Sequence, residues 1–341
     1  MSPPIGRRAV LPGLVLGALT LPRAVRAQSR QTLRVGYIPI IPMTQLFVME
    51  GEGWAKAAGL DLALTRFSSG PAMVQALASG SLDVAYIGIG PAMLARARGI
   101  DVKVVAANVI DQVALIGRGR LVESVAQAPS AAAGFAAFRA AAGRPAKIAT
   151  LPQGSVPDAV LRYYLQETAK VAAADVEIVG VGEEQVQQLL LAGAVDAASI
   201  LEPILTIVLE RERSAKVIAR AGEMFARQPG AVVLATQAAV TARRAAIAAL
   251  VALHVRATAF ARTNPDRAAA DVLAFIGKGL VSLALMRKAL TSDATTLIAD
   301  PRIIVDSTRL LQDFQQRIGV QPTAVDIDAL FDFGFYDAAP R

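Results

Sequence analysis

A chain of 341 residues is long enough for two domains of ordinary size, each with its own core. With one histidine and no cysteine it excludes disulfides, thiolate catalysis, cysteine metal sites and any metal site that needs two histidines. Its 35 Lys+Arg exceed its 28 Asp+Glu, but the basic residues stand singly or beside acids, as at Arg211, Arg213 and Lys216, without the interleaved aromatics of a nucleic-acid surface, so no nucleic-acid partner is expected.

In chain order, residues 1–27 read as an export signal. Arg7-Arg8 form a basic start, residues 9–21 an apolar stretch broken by Pro and Gly, and Val25-Arg26-Ala27 a small-x-small cleavage site before Gln28. The paired arginines fit the twin-arginine route as well as the ordinary secretory (Sec) one, and a periplasmic location is expected either way. Cleavage removes Arg7, Arg8, Arg23 and Arg26, leaving 31 basic against 28 acidic residues. After the signal no stretch approaches the roughly 20 apolar residues that span a bilayer, so the body is expected to be soluble.

Residues 33–38 form a β-type run ending at Pro39, and the spacing of Leu46, Phe47 and Met49 predicts a helix over 43–53. Residues 60–67 alternate as a strand should, and Ser68-Ser69-Gly70-Pro71 supplies the caps and early proline that start a helix ending at Gly80. A strand over 83–89, a helix from Pro91 and a strand over 101–107 follow, and this alternation implies a parallel, helix-flanked sheet. Gly117-Arg118-Gly119-Arg120 is the expected outward hinge, and the Ala-rich stretch 127–142 is either a helix or a loosely ordered excursion. A second lobe begins at Ala146 and has 217–219 as its last strand. Pro229-Gly230 marks a turn, and 231–236 is a strand that returns to the first lobe. Helices from Thr241 onward, interrupted at Asn264-Pro265-Asp266, complete that lobe. The expected division is signal 1–27, first lobe 28–117 and 231–341, and second lobe 118–230.

One pattern occurs twice at an offset of 113. Leu77-Ala78-Ser79-Gly80-Ser81-Leu82-Asp83-Val84-Ala85 matches Leu190-Leu191-Ala192-Gly193-Ala194-Val195-Asp196-Ala197-Ala198, and the same shift superposes Val35-Gly36-Tyr37-Ile38-Pro39 on Ile148-Ala149-Thr150-Leu151-Pro152. Two related α/β lobes meeting face to face leave a cleft, and a cleft closed by hinge motion suits capture of a small ligand.

Ligands of open α/β sheets collect outside the carboxyl ends of strands, where helix N-termini present free N–H groups. Four loops have that placement. They are Ile41-Pro42-Met43-Thr44, Ser68-Ser69-Gly70, Gly88-Ile89-Gly90 and Gln153-Gly154-Ser155-Val156. Glu202-Pro203 follows the corresponding strand of the second lobe, where the carboxylate is either a ligand acceptor or a helix-start acid. Tyr37 ends the first strand and Tyr86 lies in the third, so either could line the cleft. His254, inside the apolar run 248–255, reads as structural. No phosphate-binding loop occurs, Gly88-Ile89-Gly90 fails as a dinucleotide fingerprint because Met occupies position 93, and no cofactor is expected.

Val35-Gly36-Tyr37-Ile38-Pro39, the helix end at 53–59, Phe67-Ser68-Ser69-Gly70-Pro71, the string 76–85 and Glu202-Pro203 together resemble the solute-binding proteins of nitrate/sulfonate/taurine-type ABC transporters. The resemblance spans residues 33–264. It implies a type II periplasmic-binding-protein fold of two helix-flanked, mostly parallel sheets joined by a hinge. It further implies a monomer, no catalysis, capture of a small solute, and delivery to an ABC permease and its ATPase subunit. The candidate ligand residues are therefore Tyr37, Pro42, Met43, Thr44, Ser69, Gly70, Gly88, Ile89, Gly90, Gly154, Ser155, Val156 and Glu202. Many relatives have Trp-Glu-Pro where Leu201-Glu202-Pro203 stands, and no basic residue falls in the four loops, which leaves room for a neutral or zwitterionic solute such as a pyrimidine or amino-sulfonate. A ligand-sensing module docked on a membrane receptor is an alternative output. The pyrimidine synthases of thiamine biosynthesis resemble the same proteins, but they rely on a cysteine-rich motif and histidines that this chain lacks.

Overall fold

The structure is a computed structural model describing residues 1–3, 31–277 and 281–340, so that nearly all of the expected export signal lies outside the described residues. The chain opens as β1 (Gln31–Tyr37), α1 (Thr44–Gly51), β2 (Leu60–Arg66), α2 (Gly70–Ala78), β3 (Val84–Gly88), α3 (Ile89–Ala97) and β4 (Val102–Ala107). A short β5 (Val109–Ile110) and β6 (Ala114–Gly117) lead into α4 (Ala131–Ala142), β7 (Ala146–Thr150), α5 (Val156–Tyr163), β8 (Val176–Gly180), α6 (Glu183–Leu191), β9 (Ala197–Ile200), α7 (Ile204–Arg211) and β10 (Lys216–Ala219). Then come β11 (Ala231–Thr236), α8 (Arg244–Thr263), α9 (Pro265–Ile276), α10 (Leu283–Leu290), β12 (Thr296–Leu297), which pairs with β5, and α11 (Val305–Arg317).

The strands form two five-stranded sheets, in the orders β2-β1-β3-β11-β4 and β10-β6-β9-β7-β8. The parallel cores are alike. β1 lies parallel to β2 and β3, and β7 lies parallel to β8 and β9. Each sheet also holds one antiparallel strand, β11 in the first and β6 in the second.

The repeat seen in the sequence is a repeat of register. Val35 pairs with Val84 and Gly36 with Ala85; Ile148 pairs with Ala197 and Ala149 with Ala198. The shared Gly and Asp explain why that string recurs. Gly80 and Gly193 take left-handed φ of 70° and 72° just after α2 and α6, which a side chain would strain. Three residues later Asp83 and Asp196 turn back onto the first strand of each lobe: the Asp83 carboxylate accepts from Arg34 N at 2.9 Å and the Asp196 carboxylate from Lys147 N at 2.9 Å. Their own amides donate to the Arg34 and Lys147 carbonyls. An arginine completes each clamp, Arg34 on Asp83 at 2.8 Å and Arg144 on Asp196 at 2.6 Å. Burial alone would raise the Asp83 carboxyl, but the side-chain and backbone hydrogen bonds from Arg34 and the nearby charge of Arg243 hold it below the usual range. The repeated motif is a strand-to-helix clasp, and it lies away from the ligand side of either lobe.

Two sequence expectations meet a different outcome, and one left open between two alternatives is decided. The strand 114–117, expected to close the first lobe, belongs to the second sheet, between β9 and β10, so the first crossing is at 111–113 rather than at Gly117-Arg118. The Ala-rich stretch is the helix α4, started by Ser130 Oγ accepting from Ala133 N at 3.2 Å and ended by Gly143 in the left-handed region. Against the expectation that no stretch after the signal is long and apolar enough to cross a membrane, one helix among the described residues, α8, is so by length and composition. One face of α8, including Ile247, Leu250, Val251 and His254, is buried in the core, and its arginines point outward, with Arg256 stacked 3.7 Å from the Trp54 ring centre. It is a core helix packed beside α1 and α9.

Candidate ligand cleft

The two sheets present their strand ends to each other, and the lobes are closed. A Cβ on Gly88 would lie 2.9 Å from a Val156 methyl carbon, and one on Gly90 would lie 3.1 Å from the Gly154 carbonyl oxygen. Side chains there would hold the lobes apart, so the glycines set how closely they meet. Ile41 N donates to the Glu202 carbonyl at 3.3 Å, and Arg66 at the end of β2 pairs with Glu184 of α6 across the boundary.

Between the closed lobes lies a cavity of about 20 Å³, room for about one water molecule. Met43, Gly70, Gly88, Ser155 and Val156, five of the sequence-derived candidates, line it, together with Ile38, Ile40, Pro91, Gln112, Leu151 and Leu201 among others. The contributing loops follow β1, β2, β3, β7 and β9, the carboxyl ends of strands in both sheets. Ser155 Oγ accepts from Asp158 N at 3.3 Å and caps α5; Ser69 Oγ accepts from Ala72 N at 3.4 Å and caps α2 beside the cavity.

The other candidates lie around this centre or outside it. Thr44 is buried and donates its hydroxyl to the Ile41 carbonyl at 2.6 Å, which shapes the turn that carries Pro42 and Met43. Ile89 is in the core, and Gly90 and Gly154 are the facing pair at the lobe boundary. Tyr37 packs edge-on to Phe47, with ring centres 5.6 Å apart. Glu202 faces another way. Its carboxylate accepts from Thr206 N at 3.0 Å and Thr206 Oγ1 at 2.7 Å, starting α7, and it borders a separate 410 Å³ cavity with Lys288 and Ser292. Burial raises the Glu202 carboxyl against the hydrogen bonds from Thr206 and Ser292.

Two residues that sequence patterning passed over stand in this region. Gln112, 2% exposed, lies on the first crossing segment, and its Oε1 is buried on the cavity wall with no hydrogen-bond partner among the described residues. Glu183 begins α6 and lines a larger cavity of about 530 Å³ at the mouth of the cleft, walled by Pro39, Arg66, Phe67 and Ser68 from one lobe and by 182–185 from the other. Burial, and after it the charge of Glu184, push the Glu183 carboxyl up to about 8 despite relief from Arg66. The offset of 113 places Glu183 at the position of Gly70, a signal present in the sequence.

The crossings beneath the cavity are laced together. Gln228 Oε1 accepts from Val113 N at 2.8 Å, its Nε2 donates to the Val113 carbonyl at 3.2 Å, and its amide donates to Asp111 Oδ1 at 3.0 Å. Ile110 and Pro229 bridge the same two segments. Deep in the first lobe, His254 Nε2 donates to the Ala107 carbonyl at 2.8 Å, which leaves Nδ1 to accept from the Tyr86 hydroxyl at 3.4 Å. Tyr86 is therefore core, and burial lowers His254 to about 4, so the ring is neutral at neutral pH.

Two helix-flanked sheets clasping a cavity at their strand ends define a two-lobed α/β binding-protein fold of the periplasmic type. The chain belongs to the NMT1-like family, whose pattern matches residues 26–276. A Brucella abortus protein provisionally named as a binding protein is 28% identical over 253 residues, 73% of each chain. Among solved structures, the periplasmic nitrate-binding protein NrtA of Synechocystis superposes with a TM-score of 0.73 at 16% identity, over 90% of this chain and 88% of that one. The periplasmic aliphatic sulphonate binding protein SsuA of Escherichia coli gives 0.68 at 19%, over 88% and 91%.

Proposed function

We propose that this chain is the extracytoplasmic solute-binding component of an ABC importer, exported by a leader at 1–27 and acting as a monomer. It takes a small organic or inorganic solute, sulfonate-, taurine-, nitrate- or pyrimidine-like, between its lobes and hands it to a permease driven by an ATPase subunit. The observation that carries the reading is the cavity at the facing strand ends, lined by Met43 and Gly70 from one lobe and Ser155 and Val156 from the other. A site divided in this way is made by closing and unmade by opening, the behaviour that capture and release require. The family and the named neighbours support the same reading. Binding rather than catalysis accords with the burial of His254, both of whose ring nitrogens are occupied.

Thermal unfolding of the chain from Gln28 onward, with and without sulfonates, taurine, nitrate, pyrimidines and flavins, tests the proposal. A solute held at 100 times its dissociation constant stabilises by about 2.7 kcal/mol. A shift confined to one chemical class is the expected outcome. A folded, ligand-free protein that shifts with none of them would favour the sensing role over transport of these solutes.

A further inference from the structure

Glu183 is a buried acid without a job in the fold. It is 7% exposed, and its carboxylate takes no hydrogen bond and no ion pair among the described residues. It is not the cap of α6, because the Gln185 side chain accepts from Gly182 N at 3.4 Å and occupies that role. An acid at a helix start ordinarily draws its benefit from the dipole while remaining hydrated. Here the first lobe closes over it, and Glu183 lines both the 530 Å³ cavity and an adjoining one of about 180 Å³. A carboxyl largely removed from bulk water, facing a cavity with no partner among the described residues, is costly, and a group from outside the chain that enters the cavity would relieve it.

The charge around Glu183 indicates what that something is. Arg66 is the one cation lining the 530 Å³ cavity, and its guanidinium is engaged by Glu184. One arginine against Glu183 and Glu184 leaves the wall acidic, and among the described residues no charged one lines the central cavity. At the equivalent position of the first lobe stands Gly70, where a Cβ would lie 2.4 Å from Pro91 Cγ, so the second lobe alone carries a carboxylate here.

We propose that Glu183 determines the specificity of the cleft: the captured solute carries an ammonium or comparable N–H donor that this carboxylate accepts, making the solute a cationic or zwitterionic amine rather than a simple anion. The proposal rests on the capture reading above and narrows its solute class. On binding, a protonated Glu183 gives its proton to solvent and the carboxylate meets the donor in the closed cleft, where a charge-assisted hydrogen bond is strong.

Calorimetric titration of matched probes tests it, with taurine against ethanesulfonate, 4-aminopyrimidine against pyrimidine, and nitrate alone. At least one amine is expected to bind ten-fold or more tightly than its amine-free partner, and Glu183→Gln, which keeps the shape and removes the charge, is expected to erase that preference. Without any probe, Glu183→Gln is expected to melt at a higher temperature than the parent, since the carboxyl is relieved only by solute. Capture of ethanesulfonate or nitrate with unchanged affinity in Glu183→Gln would overturn this inference and leave the capture reading standing. A melting temperature that falls in Glu183→Gln would assign the carboxyl to the fold and also overturn it. Binding of none of the probes by folded protein would overturn both readings together.

Discussion

The two copies of the repeated unit share their scaffold and differ at their mouths. Both hold an aspartate clamped to the backbone of the first strand, at Asp83 and Asp196, with the same sheet register above it. Toward the cleft the equivalent residues part company: Gly70 against Glu183 and Ser69 against Gly182. The Gly-x-x-Asp turn and the sheet register recur in both copies, whereas the residues at the cleft mouth differ. A motif can therefore be the most specific signal in a sequence and say nothing of the ligand.

Unequal clamps give the largest expected loss on a single substitution. Asp83 is tied by Arg34 and also by Arg243 at 2.6 Å, and its side chain is less exposed than that of Asp196. Asp83→Ala is expected to cost about 4 kcal/mol, because it removes charge-assisted hydrogen bonds from the Arg34 amide and guanidinium together with the Arg243 pair, and Asp196→Ala about 2 kcal/mol, read by urea unfolding. Equal costs would break the comparison. The next contrast is in pH, because only the first lobe buries a histidine. His254 falls from 6.5 to about 4 on folding, so the unfolded chain binds the proton first as pH drops. Its contribution is complete above pH 6.5 and is lost as pH falls toward 4, by about 3 kcal/mol in all. The stability difference between parent and His254→Gln should shrink over that window, and a difference independent of pH would sink the assignment.

A third contrast has opposite signs at equivalent positions. Glu183 rises from 4.5 to about 8, so its penalty is absent below pH 4.5 and grows as pH rises toward 8. Glu183→Gln should gain up to about 4 kcal/mol at pH 7.5 and almost nothing at pH 4.5, whereas Gly70→Ala should lose about 2 kcal/mol at either pH because its methyl meets Pro91. Thermal melts at the two pH values separate these outcomes.

Much of the fold was legible in the sequence because local patterns carried it: strand and helix alternation, the proline and serine starts at 68–71, and the returning strand 231–236 beyond Pro229-Gly230. The strand 114–117 was misplaced because an apolar run reads alike in either sheet; its partners at Lys216–Ala219 and Ala197–Ile200 lie about 80 to 100 residues away and decide its membership. The strand-end loops were legible as a class, and five of their residues line one cavity. Gln112 and Glu183 were not, since burial of Glu183 comes from closure of the other lobe, and Glu-Glu-Gln at a helix start reads as a solvated first turn.

The exchange of strands between the halves also fixes an order of synthesis. β11 occupies the gap between β3 and β4, yet it follows the whole second lobe in the chain. A nascent chain that has emerged only as far as residue 230 holds four strands of its first sheet with the central seam unfilled, and the unpaired edges of β3 and β4 face each other. The amino-terminal lobe thus cannot mature first, although it is made first. The carboxyl-terminal third is what seals it, and a ribosome or protease that stops short of β11 leaves the second sheet with all five of its strands and the first without its seam.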